Sequence, residues 1–245
     1  MQCISDVDIP AQSRVFVRGD LDVAIKNGAI SEAYRLDKML PTLNFLKSKK
    51  SKIIVAGHMG RPDGIIDPKL STKQLLPYFN KHLGEGNFEL LENLRFDVRE
   101  ETNDTCFAKE LASKADIYVN ECFSTSIRNH TSFISLPKLL PAYAGIRLKE
   151  ELENLNRVLN NPNKPIAVVI GGVKIESKLP VINFLQNSVD YILLGGKIGR
   201  EYSKMDKHSP NVLFPEDYVE GGLDIGFNTI KKYVEIIKSA RTIVW

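Results

Sequence analysis

The chain has 245 residues, 43% of them apolar and 26% charged, with a formal net charge of +3. That length buries a core as one large domain or two modest ones, and a charge so small gives no reason to expect a nucleic-acid partner. No apolar run approaches the roughly 20 residues of a membrane helix, the opening residues do not read as a secretory leader, and Cys3, Cys106 and Cys122 fall at unrelated spacings, which suits reduced thiols in a cytoplasm.

Aliphatic and β-branched runs alternate with segments of helical period, the pattern of stacked βαβ units around parallel sheets. The first run predicts a strand over Arg14–Arg18. Leu36, Met39, Leu40, Leu43 and Leu46 recur at spacings of three and four and predict a helix, with Pro41 inside it predicting a kink or a late start. There follow a strand over Lys52–Gly57, a helix over Ser71–Leu83, a strand over Phe88–Leu91, a helix over Asp104–Lys114 and a strand over Asp116–Asn120. Leu148, Leu152, Leu155 and Leu159 mark a charged helix that ends in the breaker-rich run Asn160–Pro165. The second half then predicts strands over Pro165–Ile170, Tyr191–Leu194 and Thr242–Trp245, with helices over Glu176–Asn187 and Asn228–Ser239. The resulting division is an N-terminal domain over 1–150, a connecting helix and hinge over 151–164, and a partial second domain over 165–245.

In open α/β sheets ligands bind beyond the carboxyl ends of the strands. Each strand of the first half is followed there by charge: Arg18-Gly19-Asp20-Leu21-Asp22, then His58-Met59-Gly60-Arg61, then Glu92 to Arg95, then Glu121 to His130. Arg61, Arg95 and Arg128 therefore converge on one rim, with Arg35 able to join from the start of the first helix. Guanidinium forks hold phosphate and carboxylate oxygens in bidentate fashion, so the rim suits a small ligand with two or more negative charges. Asp20 and Asp22 either cap a turn or accept hydrogen bonds from ligand hydroxyls.

In the second half, the strand ending at Ile170 runs into Gly171-Gly172-Val173-Lys174, with Lys178 four residues on. Paired glycines let backbone N–H groups approach an anion, and the start of a helix adds partial positive charge. The spacing is not that of a Walker A loop. Gly195-Gly196, at the end of the next strand, strengthens the reading of a nucleotide cleft. Gly221-Gly222 forms either a third wall or a turn leading into a helix.

Taken in order, these segments resemble the phosphoglycerate kinase family over nearly the whole chain. Arg18 to Asp22 resembles its Arg-x-Asp-x-Asn loop, His58 to Pro62 its His-x-Gly-Arg-Pro loop, and Glu92 to Phe96 its Glu-Asn-Leu-Arg-Phe run. Arg128 and His130 resemble its Arg-x-His pair, Gly171 to Lys178 its Gly-Gly-x-Lys-x-x-x-Lys segment, and Gly222 to Gly226 its Gly-Leu-Asp-x-Gly segment. The resemblance implies two Rossmann-like α/β domains with parallel sheets, the second incomplete. It implies transfer of a phosphoryl group between 1,3-bisphosphoglycerate and ADP, giving 3-phosphoglycerate and ATP in glycolysis, by a cytoplasmic monomer with no membrane or nucleic-acid partner. Mg2+ would be carried with ATP or ADP, with no metal ligands from the chain. Asp20, Leu21, Asp22, Arg35, His58, Met59, Gly60, Arg61, Arg95 and Arg128 would hold the phosphoglycerate, and Gly172, Lys174, Lys178, Gly196 and Gly222 the nucleotide. Arg35, Lys174 and Lys178 would serve catalysis, as cations around the transferring group.

The chain departs from the family pattern in places. Asp22 stands where the family has Asn, Ser177 where it has Asp, and Lys197 where a third glycine is usual. The stretch from Gly196 to Gly222 is short, and Trp245 ends the chain before the family's last nucleotide segments. The competing expectation is therefore a kinase fragment or degenerate paralogue that binds phosphoglycerate with little turnover.

Overall fold

The computed structural model describes residues 2–160 and 162–245. Asn161, within the breaker-rich run, lies outside the described residues. The chain divides into two compact units, Met1–Leu152 and Glu153–Trp245.

The first unit begins with β1 (Arg14–Arg18), the short antiparallel pair β2 (Ile25–Lys26) and β3 (Ala29–Ile30), and α1 (Tyr34–Ser48). It continues through β4 (Lys52–Ala56), α2 (Leu76–Leu83), β5 (Phe88–Leu90), α3 (Val98–Glu101), α4 (Thr105–Ala112), β6 (Ile117–Asn120) and β7 (Ala142–Ala144). The five long-range strands form one parallel sheet in the order β5-β4-β1-β6-β7, with Val15 opposite both Ile53 and Ile117. The chain winds outward from β1 to β5 and then returns to β6 on the other side, so the order reverses beside β1. A crevice opens at such a reversal, beyond the strand ends. Both sheet faces are covered: Val15, Val17, Ile53 and Val55 pack with Leu36, Met39 and Leu43 of α1 on one, while Phe16, Ile54 and Tyr118 pack with Phe107 and Leu111 of α4 on the other. Strands buried on both faces read as unbroken apolar runs, which is why β1, β4 and β6 were legible in the sequence. β2, β3 and β7 were not, being only two or three residues long.

Pro41 neither delays nor ends α1, which runs from Tyr34 to Ser48 around it. A proline inside a helix costs about 3 kcal/mol. Against that, Leu36, Met39, Leu43 and Leu46 are all at most 1% exposed, and each such burial is worth about 1.5–3 kcal/mol. Packing outweighs local propensity.

The helix α5 (Ile146–Asn160) contains the division between the units. The second unit carries β8 (Ile166–Ile170), α6 (Ile175–Leu185), β9 (Tyr191–Leu194), α7 (Gly196–Tyr202), β10 (Val212–Leu213), α8 (Phe227–Ser239) and β11 (Thr242–Val244). Its sheet is parallel throughout, in the order β10-β9-β8-β11, and reverses beside β8. The expected α/β class with a parallel sheet in each half is the observed architecture. The sequence reading missed α7, because the glycine pair at its start reads as a loop.

Candidate functional site

At the carboxyl end of β1, Arg18 is completely buried and every part of its guanidinium is engaged. Nε donates to Ser132 Oγ at 2.9 Å, Nη1 to the Gly19 carbonyl at 2.5 Å, and Nη2 lies 3.0 Å from His58 Nδ1. The group also sits 4.5 Å from the centroid of the Phe133 ring. Because arginine has no acceptor and keeps its proton, His58 Nδ1 accepts and the imidazole proton resides on Nε2. Burial, followed by the charges of Arg18 and Arg95, pushes the His58 pKa down to about 2. His58 is thus a neutral donor at all working pH values. Ser132 passes the contact on: its Oγ donates to Glu100 Oε1 at 2.5 Å and its N–H to Oε2 at 3.0 Å. A buried cation is compensated by a buried carboxylate through one hydroxyl, as desolvated charges require.

Two chains of contacts assemble the rest of the rim. In the first, Asp20 receives Arg35 Nη1 at 2.9 and 3.0 Å and Ser124 Oγ at 2.9 Å, joining the loop after β1, the start of α1 and the loop after β6. A cleft of about 290 Å³ opens beside them, lined also by Lys38 and Arg147. In the second, Asp22 accepts from the Gly60 N–H at 2.9 Å, and the Gly60 carbonyl accepts from Arg95 Nη1 at 2.8 Å. Gly60 has φ +62°, and a Cβ there would meet Leu70 at 2.7 Å, so this turn needs glycine. Asp22 therefore spends its extra charge on a backbone donor of the neighbouring loop. Arg95 is only 7% exposed; its Nε lies 3.2 Å from Glu101 but is not aligned for a hydrogen bond. Burial first, against the pull of Glu101, lowers its pKa. His130 stands 3.9 Å from both Glu100 and Glu101, its Nδ1 buried and unpartnered.

Arg61 and Arg128 contrast with these. Both are exposed, and neither has a side-chain hydrogen bond or ion pair among the described residues. Leu21 and Met59, counted with the rim on sequence, prove to be core residues at 0% and 2% exposure. Leu21 fills the space over Gly57, where a Cβ would come within 2.6 Å of its Cγ, so its side chain faces inward.

Glu121 was not singled out from sequence. It is 2% exposed and receives the Thr42 hydroxyl together with the backbone N–H groups of Arg147 and Leu148, at 3.2 and 3.3 Å, in the first turn of α5. Burial nevertheless outweighs these donors and raises its pKa to about 7. Arg18, Ser132 and Glu100 were also unassigned; nothing in the spacing of Ser132 and Glu100 marks them as partners.

In the second unit, Gly171 and Gly172 are exposed at the end of β8, with Gly172 at φ +132°. Lys174 is the residue preceding α6, and Lys178 lies in its first turn. No side chain caps α6, which leaves first-turn N–H groups for an anion. Lys174 and Lys178 are both exposed. Gly196 begins α7 at φ +47°, and a Cβ there would lie 2.9 Å from the Leu223 carbonyl oxygen. Gly222, at φ +66°, belongs to the turn that brings Leu223 to this point, and its own missing Cβ would meet Arg200 at 2.9 Å. The two glycine segments thus adjoin through backbone. A cleft of about 560 Å³ lies beside them, lined by Lys174, Glu176, Lys197 and Glu201 among others.

Two doubly wound units, one with a cationic rim and one with a glycine-built cleft at its strand ends, have the form of a phosphotransferase acting on a small anionic substrate. Comparison with known proteins makes this specific. The phosphoglycerate kinase family model matches residues 4–88 and 80–217. The chain is 34% identical to a phosphoglycerate kinase of Leptospira biflexa, covering 95% of itself and 76% of that protein, and 32% identical to one from Dictyoglomus turgidum, covering 99% and 78%. Its fold matches the phosphoglycerate kinase of Coxiella burnetii with a TM-score of 0.81 at 25% identity, over 99% of this chain and 79% of the other. The chain belongs to the phosphoglycerate kinase family, and these comparisons favour the kinase over a degenerate binding paralogue. The alignment with the Leptospira protein extends over 301 residues, more than this chain possesses, so tens of positions are gaps within it.

Proposed function

We propose that the chain transfers a phosphoryl group between 1,3-bisphosphoglycerate and ADP, yielding 3-phosphoglycerate and ATP, as a cytoplasmic monomer of glycolysis. The observation that carries the site assignment is the contrast within the rim. Arg18, Arg35 and Arg95 are hydrogen-bonded to the protein, whereas the Arg61 and Arg128 side chains have no partner among the described residues. Cations left without partners next to a hydrogen-bonded network are available for a ligand's charge. Phosphoryl transfer demands little covalent chemistry from the protein; positioning and neutralisation of spread charge suffice. In this reading Asp20 and Asp22 orient ligand hydroxyls, His58 donates from Nε2, and Arg61, Arg95 and Arg128 hold the carboxylate and phosphate. Arg35 exchanges Asp20 for the transferring group. Gly172, Lys174, Lys178, Gly196 and Gly222 receive the nucleotide.

Mg2+ enters with the nucleotide as part of the substrate. Among the described residues no group of three or more His, Cys, Asp and Glu could hold a resident ion, and Ser177, where a carboxylate is usual, donates to the Lys174 carbonyl at 2.9 Å.

Calorimetric titration of 3-phosphoglycerate tests the substrate half. Arg61→Ala and Arg128→Ala should each weaken binding by roughly 1.5–3 kcal/mol, the range for a hydrogen bond to a charged group. Unchanged affinity in both would remove the basis for this site.

A further inference from the structure

A second cleft beside the first sheet lies at the opposite edge from the rim, where the strands begin. Its volume is about 680 Å³, and its lining includes Arg14, Lys47, Lys50, Lys52 and Lys114 against the single carboxylate Glu89. Arg14 is committed to Asp116, Nη2 to Oδ1 at 2.6 Å, and Lys47 donates to the Leu83 carbonyl at 2.6 Å. Lys50, Lys52 and Lys114 have no carboxylate within ion-pair distance among the described residues. Three helices end here, at Ser48, Leu83 and Ala112, and a helix carboxyl end carries about half a negative charge. Together with Glu89 they offset only about two and a half of the four lysine charges, so lysines serving as helix-end counterions do not account for the cluster.

Lys50 carries a second and independent sign. It follows α1 in the left-handed region, φ +57°, and its carbonyl accepts from the N–H of Gln12, which is itself at φ +68°. A residue just past a helix end in that conformation is ordinarily glycine, because any side chain costs about 1 kcal/mol or more there. A lysine at this position keeps an amino group at the mouth of the cleft against its backbone preference. Strain of this kind gathers at functional sites.

We propose that this cleft binds a compact polyphosphate anion, such as a short inorganic polyphosphate chain, at a site separate from the substrate rim. The volume falls within the range of small-molecule sites and is too small for a nucleic-acid duplex. The lining offers separate ammonium groups rather than guanidinium forks, which suits several phosphates in a row more than one carboxylate.

The test is calorimetric titration of tripolyphosphate into the full chain, with 3-phosphoglycerate and MgADP saturating so that the other anion sites are filled. The double variant Lys50→Gly/Lys114→Ala should bind at least tenfold more weakly, and affinity in the parent should fall steeply with added salt. Lys50→Gly alone relieves the left-handed strain, so retention of the fold is expected, with a raised Tm as the check. Wild-type affinity in the double variant would overturn the proposal. So would loss of binding only in Arg61→Ala/Arg128→Ala, which would place the anion on the rim, or tighter binding of single-stranded RNA than of tripolyphosphate.

Discussion

Replacing Glu121 with Gln should remove a pH dependence that this one buried carboxyl imposes on folding. Burial raises its pKa from the ordinary 4.5 to about 7. Below pH 4.5 folded and unfolded chains both hold the proton. Between 4.5 and about 7 only the folded chain holds it, so stability falls as pH rises through that window. At 1.36 kcal/mol per tenfold change in proton affinity, the fall is about 3 kcal/mol, and it is complete above the folded value. Glutamine has the shape of the protonated acid and does not titrate. Urea unfolding followed by circular dichroism, at pH 4.5 to 8, should therefore show the difference between wild type and Glu121→Gln changing by about 3 kcal/mol in favour of the variant as pH rises. Other titrating groups are common to both chains and cancel in the difference. Parallel curves would refute the reasoning, since they would mean that the Thr42 hydroxyl and the two N–H groups of α5 keep the carboxylate ionised despite its burial.

Two further outcomes follow from the same geometry. Gly145→Ala would place a methyl 1.8 Å from Glu121 Oε2, so it should cost at least about 2 kcal/mol, as overpacking does; in a denaturant series the cost should shrink when Glu121→Ala is added, because the two sites share one space. Arg35→Ala should lower kcat more than it raises KM for phosphoglycerate, since in the unliganded chain Arg35 rests on Asp20 and an interaction made only during transfer shows in kcat; a steady-state assay with unchanged kcat and a raised KM would assign it to ground-state binding instead.

The buried strands and the charges that follow them were legible because both signals are local. An apolar run of four or five residues fixes a strand, and the residue after it must lie at the sheet edge whatever the rest does. What the sequence could not show is which of those charges the fold consumes. Arg18, Arg61, Arg95 and Arg128 look alike in the chain, yet Arg18 and Arg95 are 0% and 7% exposed while the other two are exposed. The difference comes from partners the local sequence does not reveal, Ser132 for Arg18 and the Gly60 carbonyl for Arg95. The side chains of Leu21 and Met59 show a related limit: loop residues between charged neighbours can turn inward, and here both are buried in the core.

This division of the cations explains how a rim built from loops can be rigid enough to position a phosphate. An exposed arginine on a loop would lose side-chain entropy on binding, and it would gain only where the backbone beneath it is already fixed. Arg95 fixes Gly60 through its carbonyl, Asp22 fixes Gly60 through its N–H, and Gly60 immediately precedes Arg61. Arg18 holds His58 two residues before Gly60, from the far side of the same turn. The loop that presents Arg61 is thus held by three charged side chains, of which Arg18 is wholly buried while Asp22 and Arg95 are also assigned to the ligand in the proposed function. On the proposed reading, binding would order the free Arg61 guanidinium rather than a whole loop, and the contacts of Arg18, Asp22 and Arg95 would supply that preorganisation.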